Sequence, residues 1–315
     1  MEPVVVTPLI SLVVPVYNEG SMIYDSLLHI LRAAQGDGYA LELVAVDDGS
    51  QDSSASELER ARRLDGRIRP LSFTRNFGKE AAILAGLAEA KGDVVVVLDC
   101  DLQHPPELIP QMIEFWRKGI YVVEAVKQDR GEEALQNGLF ARAFYALFNR
   151  FSGLDIRNHS DFKLLDREVV DAYIAFPEKH RFFRGIIGWA QYPSAQIPFS
   201  VPQRAGGGPS QWSKIKLLKY AVNNLTSFSS LPLKLVSYVG FATLALGGVV
   251  GFISLLRKFE GKAIGGFTTV NLLIIIMGGA ILVSLGIIGH YLARLYDEVK
   301  GRPTYIIKPV RKSQE

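Results

Sequence analysis

The 315-residue sequence predicts an α/β domain built on a mostly parallel sheet, followed by two membrane-spanning helices. Three observations carry that expectation. Continuous apolar, β-branched runs alternate with amphipathic stretches from the N-terminus, as in a parallel sheet covered on both faces. Polar clusters follow those runs, at the carboxyl ends where open α/β sheets keep their ligand crevice. Two long stretches near the C-terminus carry no Asp, Glu, Lys or Arg.

The elements follow in order. Ile10 to Val16 is the first strand and ends in Pro15-Val16-Tyr17-Asn18-Glu19-Gly20; Ser21 to Ala34 is a helix. Leu41 to Val46 is the second strand, stopping at Asp47-Asp48-Gly49-Ser50, and Ser53 to Leu64 is helical. Ile68 to Phe73 is the third strand, Asn76 to Ala90 a helix, and Val94 to Leu98 a fourth strand ending on Asp99. Pro105-Pro106-Glu107 opens the next helix, with proline where a first-turn N–H is dispensable. Tyr17-Asn18-Glu19, Asp47-Asp48 and Asp99-Cys100-Asp101 therefore share one end of the sheet.

The C-terminal part differs in kind. Leu235 to Leu256 is 22 uncharged residues, about 33 Å of helix and enough to cross a bilayer. Ala263 to Ala293 is a second such run. The alternative, two buried core helices, fits poorly with adjacent spans this long. Lys214, Lys216, Lys219 and Lys234 precede the first span, and Arg294, Lys300, Arg302, Lys308, Arg311 and Lys312 follow the second. Only Arg257, Lys258 and Lys262 lie between them. The positive-inside rule thus places the large domain and both termini in the cytoplasm of a cell that keeps the protein in its inner or plasma membrane. Gly247 and Gly251 supply a GxxxG spacing that lets two helices approach. The organisation expected is a catalytic domain over 1–209, an amphipathic interfacial segment over 210–230, a two-helix hairpin over 231–294 and a cytoplasmic tail over 295–315. Leu135 to Phe151 is a further amphipathic stretch, either interfacial or packed on the sheet.

Charge is split along the same boundary. From Ser210 onward 13 Lys/Arg face 4 Asp/Glu, whereas the chain before it holds 22 basic and 28 acidic residues. Basic residues flanking apolar spans suit an anionic membrane surface, and without an aromatic-laced basic stripe they argue against nucleic acid. Cys100 is the single cysteine, which excludes an intrachain disulfide or a cysteine-based metal site. Leu9 to Val16 is too short, and lacks the basic flank, for a secretory signal.

Asp99-Cys100-Asp101 at a strand end can hold a hard cation, Mg²⁺ or Mn²⁺, while leaving positions for diphosphate oxygens, and Gln103 can add a carbonyl oxygen. The plainer alternative is a capped turn. Asp47-Asp48 can accept the N–H groups of a uracil or guanine, or simply build an Asx turn. Arg75-Asn76-Phe77-Gly78-Lys79 opens a helix where free N–H groups and Lys79 can meet phosphate, or form an ordinary solvated helix start.

Together Val14 to Glu19, Val46 to Ser50, Arg75 to Lys79 and Leu98 to Glu107 resemble family 2 glycosyltransferases, closest to the dolichol-phosphate-mannose synthase-like branch with its bacterial undecaprenyl-phosphate glucosyltransferases. Ser160 to Arg167, Arg181-Phe182-Phe183-Arg184-Gly185 and Ser227 to Leu233 fit the same branch. The resemblance implies a GT-A fold in which Pro15, Tyr17 and Glu19 line the nucleoside pocket and Asp47 and Asp48 read the base. It implies that Asp99, Asp101 and Gln103 hold metal and diphosphate, with Arg204 near the phosphates. Asp161 corresponds to the aspartate often proposed as base, beside Asp101 in the catalytic set, and Arg130 to a residue facing the acceptor phosphate. Cys100 replaces the usual alanine. Asn137-Gly138 and Ala141 stand where a basic pair and a serine are common, and Gly206 to Trp212 varies the usual Gly-x-Ser-Lys segment.

The activity implied is inverting transfer of a sugar, first choice glucose from UDP-glucose, to undecaprenyl phosphate or a related polyisoprenyl phosphate. GDP-mannose as donor and a non-catalytic nucleotide-sugar-binding scaffold are the alternatives. A homo-oligomer is expected. Because a phosphate monoester is largely ionised at neutral pH, its second pKa being near ~6, Asp161 is expected to position more than to deprotonate.

Overall fold

Apolar residues at nearly every position of Leu9–Val16 (β1) leave the strand no wet face, and β1 accordingly sits well inside the sheet. The computed structural model describes residues 7–127, 159–179, 181–199, 231–260 and 266–309. Helix α1 (Met22–Ala33) returns the chain to β2 (Ala40–Asp47), and α2 (Ser54–Leu64) leads to β3 (Ile68–Ser72). Helix α3 (Lys79–Glu89) precedes β4 (Val94–Val97). One 3₁₀ turn (Pro106–Leu108) runs into α4 (Ile109–Arg117), then β5 (Val122–Lys127). Strand β6 (His159–Asp166), α5 (Arg167–Ala175), α6 (Phe183–Ala190) and β7 (Ser194–Phe199) complete the domain's described elements.

The seven strands are ordered β3-β2-β1-β4-β6-β5-β7. All pairs are parallel except those of β6, which runs antiparallel to both β4 and β5. That reversal brings the start of β6 to the end of the sheet where β1, β2 and β4 finish. Leu12 and Val14 of β1 pack with Ile23, Leu27 and Ile30 of α1 and Met112 and Ile113 of α4 on one face. On the other, a Cβ at Gly86 of α3 would lie 2.3 Å from Val13 Cγ1, so only glycine allows that helix so close. Each fully buried Leu or Ile contributes roughly 1.5–3 kcal/mol. Lys163 and Glu124, opposite each other on β6 and β5, form a buried ion pair.

The predicted strands match these to within a residue or two, and the helix predicted from Asn76 begins at Lys79. Gly78 adopts φ +100°, which ends the possibility of helix upstream. The predicted stretches 135–151 and 210–230 lie outside the described residues, as do Arg130 and Arg204.

Residues up to Gln211 together with Pro303 onward form one unit, and Trp212–Arg302 a second. The tail therefore clusters with the sheet domain. In the second unit, α7 (Leu231–Phe259) and α8 (Phe267–Val299) are long enough to cross a membrane, with 18- and 24-residue windows of mean hydropathy 1.9 and 1.8. Nothing in those windows is buried, unlike a soluble core helix. The predicted hairpin boundary at 294 falls inside α8, which continues to Val299. Val236 and Val239 of α7 line a groove with Gly279, Ala280 and Val283 of α8. A Cβ at Gly247 or Gly251 would meet nothing within 4 Å. Among the described residues there is thus no close approach of the kind expected of that GxxxG.

Candidate active site

Three polar loops leave the carboxyl ends of β1, β2 and β4, and hydrogen bonds knit the first two together. Ser54 Oγ accepts the N–H groups of Glu19 and Gly20, both at 3.0 Å, and Ser50 Oγ accepts that of Asn18. Asn18, with φ 54°, accepts the Gln51 N–H on its side chain. This frame leaves Tyr17 exposed at the mouth of the sheet and Glu19 half-buried. Pro15 is buried within β1 opposite Val46, away from any open surface.

Asp47 and Asp48 close β2 and are both buried. Asp47 Oδ1 accepts the Ser50 N–H at 2.9 Å, an Asx turn. Asp48 accepts the Phe77 N–H at 2.6 Å on Oδ1 and the Gly78 N–H at 2.9 Å on Oδ2. Burial raises the Asp48 carboxyl despite those donors. A Cβ at Gly49 would fall 2.4 Å from the Arg75 carbonyl carbon, so the turn fits under the loop only as glycine. Of the pair predicted to read a base, Asp48 is thus engaged in holding the loop before α3, and Asp47 in holding its own turn.

That loop delivers Lys79. Its Nζ lies 2.7 Å from Asp99 Oδ1 and 2.6 Å from Asp161 Oδ2. Burial disfavours the ammonium, but the two carboxylates outweigh it and raise its pKa, so Lys79 stays charged. Asp161 also receives Arg184 bidentately, Nε to Oδ1 at 2.6 Å and Nη2 to Oδ2 at 2.9 Å. Burial alone would raise Asp161; Arg184 and Lys79 instead hold it far below the usual carboxylate range. A carboxylate so stabilised, with both oxygens occupied, is a poor proton acceptor. Glu80 accepts the Phe183 N–H at 2.8 Å at the entry to α6, and burial with the Asp161 charge pushes its carboxyl up to about 7.

The loop after β4 is open by contrast. Asp101 is exposed, and its Oδ1 accepts the Gln103 N–H at 3.1 Å. Asp99 is partly exposed, with Oδ2 at 3.8 Å from Nδ1 of the buried His104. Leu102 takes φ 55°, a conformation that costs a non-glycine residue about 1–3 kcal/mol and recurs at functional sites. Cys100 is buried and hydrogen-bonds Glu19; burial and the flanking acids push its thiol up. Burial, offset by that thiol and reinforced by Asp101 and Asp99, raises Glu19. Among the described residues no group of three His, Cys, Asp or Glu is set to cage a metal. Two carboxylates one residue apart, with Gln103 beside them, offer only oxygens. They fit a hard divalent cation that takes its remaining ligands from a diphosphate and water.

Of the expected site residues, the structure gathers Asp99, Asp101, Gln103, Lys79, Asp161, Glu19 and Tyr17 at one end of the sheet. Arg184, Glu80 and His104 join them although no role was expected of them. Arg184 lies in a segment that resembled the family, yet a single arginine opening a short helix carries no sign of its partner in the sequence.

A family model described as "Glycosyl transferase family 2" matches residues 11–174. An uncharacterised glycosyltransferase of Bacillus subtilis is 37% identical over 300 residues, covering 95% of this chain and 93% of the relative. The bactoprenol glucosyl transferase of Shigella phage SfII is 36% identical over 301 residues, covering 95% and 97%. Among solved structures, glucosyl-3-phosphoglycerate synthase from Mycobacterium tuberculosis in complex with uridine diphosphate superposes with a TM-score of 0.51 at 23% identity, over 70% of this chain and 79% of that one. At that identity the likeness is one of fold, and it agrees with the GT-A domain expected.

Proposed function

Because the chain belongs to glycosyl transferase family 2, we propose that it transfers glucose from UDP-glucose to a polyisoprenyl phosphate such as undecaprenyl phosphate. The observation that carries this reading is the convergence of Lys79, Asp99, Asp161 and Arg184 beside the open Asp101, at the carboxyl end of a parallel sheet. Similarity to a bactoprenol glucosyl transferase over nearly the whole chain supports the lipid acceptor and the sugar. The two apolar helices support membrane anchoring, with the sheet domain on the cytoplasmic side.

The chemistry asks for little proton transfer. One oxygen of the lipid phosphate, already anionic near neutral pH with a second pKa of about 6, attacks the anomeric carbon from the face opposite the nucleoside diphosphate. The new C–O–P link forms as the bond to the diphosphate oxygen breaks, and the anomeric configuration inverts. UDP departs with the bonding electrons. The Lys79 ammonium spreads the charge developing on the diphosphate. Asp161, clamped by Arg184, keeps that ammonium in place and serves as a positioning anion. Asp99 and Asp101, with Gln103, would hold Mg²⁺ or Mn²⁺, which supplies Lewis-acid stabilisation of the leaving diphosphate when bound. Tyr17 offers an exposed ring to the nucleoside, framed by Glu19 and the Asn18–Ser50 contact. Arg204 and Arg130 are kept as the proposed partners of the donor and acceptor phosphates.

Purified protein incubated with radiolabelled UDP-glucose, GDP-mannose or UDP-linked amino sugars, and with undecaprenyl or dolichyl phosphate, tests the reading. Label should pass to undecaprenyl phosphate from UDP-glucose and stop with EDTA. Transfer from GDP-mannose alone would replace the donor, and binding of UDP-glucose without turnover on any lipid phosphate would make the protein a scaffold.

A further inference from the structure

The third strand lies at the edge of the sheet, where unpaired backbone groups ordinarily invite another strand. Here the chain's own tail answers. Ile307 bridges Phe73 antiparallel, Thr74 N–H donates to the Ile306 carbonyl at 3.0 Å, and Lys308 N–H donates to the Ser72 carbonyl at 2.7 Å. The Tyr305 ring stacks on Phe73 with centroids 5.1 Å apart and planes 12° from parallel. Phe73 in turn meets Phe77 edge-on at 5.7 Å, and the Arg75 guanidinium lies 4.1 Å above the Phe77 ring.

These contacts fall on the loop that ends at Lys79. Asp48 secures it from the β2 side through the Phe77 and Gly78 N–H groups, and the tail secures it from the opposite, edge side. We propose that the C-terminal segment Tyr305-Ile306-Ile307 is a positioning element of the active site: by seating Phe73 and Phe77 it fixes the loop that presents Lys79 to Asp99 and Asp161. Tyr305 is the residue on which this rests most, because its ring stacks on Phe73, which in turn meets Phe77. The inference builds on the role of Lys79 in the transfer reaction, but its geometry can be tested without turnover.

The full-length protein, its Tyr305→Ala and Tyr305→Phe variants, and Lys79→Met alone and combined with Tyr305→Ala form the test. Reductive methylation followed by mass spectrometry reads the reactivity of Lys79. In Tyr305→Ala, Lys79 should label roughly tenfold faster, because the loosened loop exposes the amine to reagent more often, while Tyr305→Phe labels as the parent does. In turnover, Tyr305→Ala should lower kcat about tenfold with donor KM little changed, and should lower it no further once Lys79 is methionine. If Tyr305→Ala does not purify folded, Tyr305→Leu, which keeps apolar bulk over Phe73, replaces it. Unchanged Lys79 labelling, or kcat losses that multiply in the double variant, would overturn the positioning role. A parent protein that transfers no sugar would instead overturn the functional reading, leaving the labelling result to decide this one.

Discussion

Two pairs of neighbouring acids end parallel strands in this protein, and they are put to opposite use. Asp47 and Asp48 after β2 are buried, and backbone N–H groups of Ser50, Phe77 and Gly78 occupy them. Asp99 and Asp101 after β4 stand partly or fully open, with Lys79 and one backbone N–H as their close partners. Two acids at the end of a β-strand are therefore an ambiguous sign. Whether they bind a ligand or brace a loop depends on how many backbone donors the neighbouring segment turns toward them.

The contrast predicts a separation of activity from stability. The largest effect belongs to the open pair: Asp99→Ala with Asp101→Ala should cut lipid glycosylation by roughly a thousandfold or more, with the melting temperature little moved. Radiolabel transfer beside thermal melting checks both halves, and normal transfer by that variant breaks the comparison outright. Next comes Lys79→Met, expected to lose about a hundredfold in kcat, because it removes the cation that Asp99 and Asp161 share. At the closed pair, Asp48→Ala strands two N–H groups and should cost about 1–3 kcal/mol in denaturant unfolding, with turnover falling far less than in the open-pair variant. A stable Asp48→Ala that fails to bind UDP-glucose would instead restore Asp48 as a base reader.

The smallest effect sharpens the link between the loop and α6. The Glu80 carboxyl sits at about 7 in the folded protein against an ordinary 4.5. Between those values the folded state binds the proton more tightly than the unfolded chain, so stability falls as pH rises from about 4.5 through 7. Below that window the contribution is fully present. Glu80→Gln, neutral throughout, should melt with a flatter pH dependence across it, and an unaltered profile would remove Glu80 from the account.

The first four strands were legible because Val, Ile and Leu fill both faces of β1 and β4, and each ended where a polar cluster began. The site was legible only as a set of residue types. That Asp161 shares Lys79 with Asp99 depends on β6 running against its neighbours, a property of topology that no local pattern carries. The partnership of Arg184 with Asp161 spans 22 intervening residues and depends on how α6 seats against β6. The helix start was misplaced by three residues because Asp48, far away in the chain, takes the N–H groups of Phe77 and Gly78. The pairing of the tail with β3 involves a segment too short to announce itself as a strand.

Cys100 gives experimenters a handle. The chain has no other cysteine, and this one is shut away between the two open carboxylates with its thiol held protonated. A maleimide should thus react slowly at rest and speed up only when the turn around Leu102 breathes. The alkylation rate becomes a clock for that breathing, read on the unaltered polypeptide, and its slowing by UDP-glucose would time how long the donor keeps the door closed.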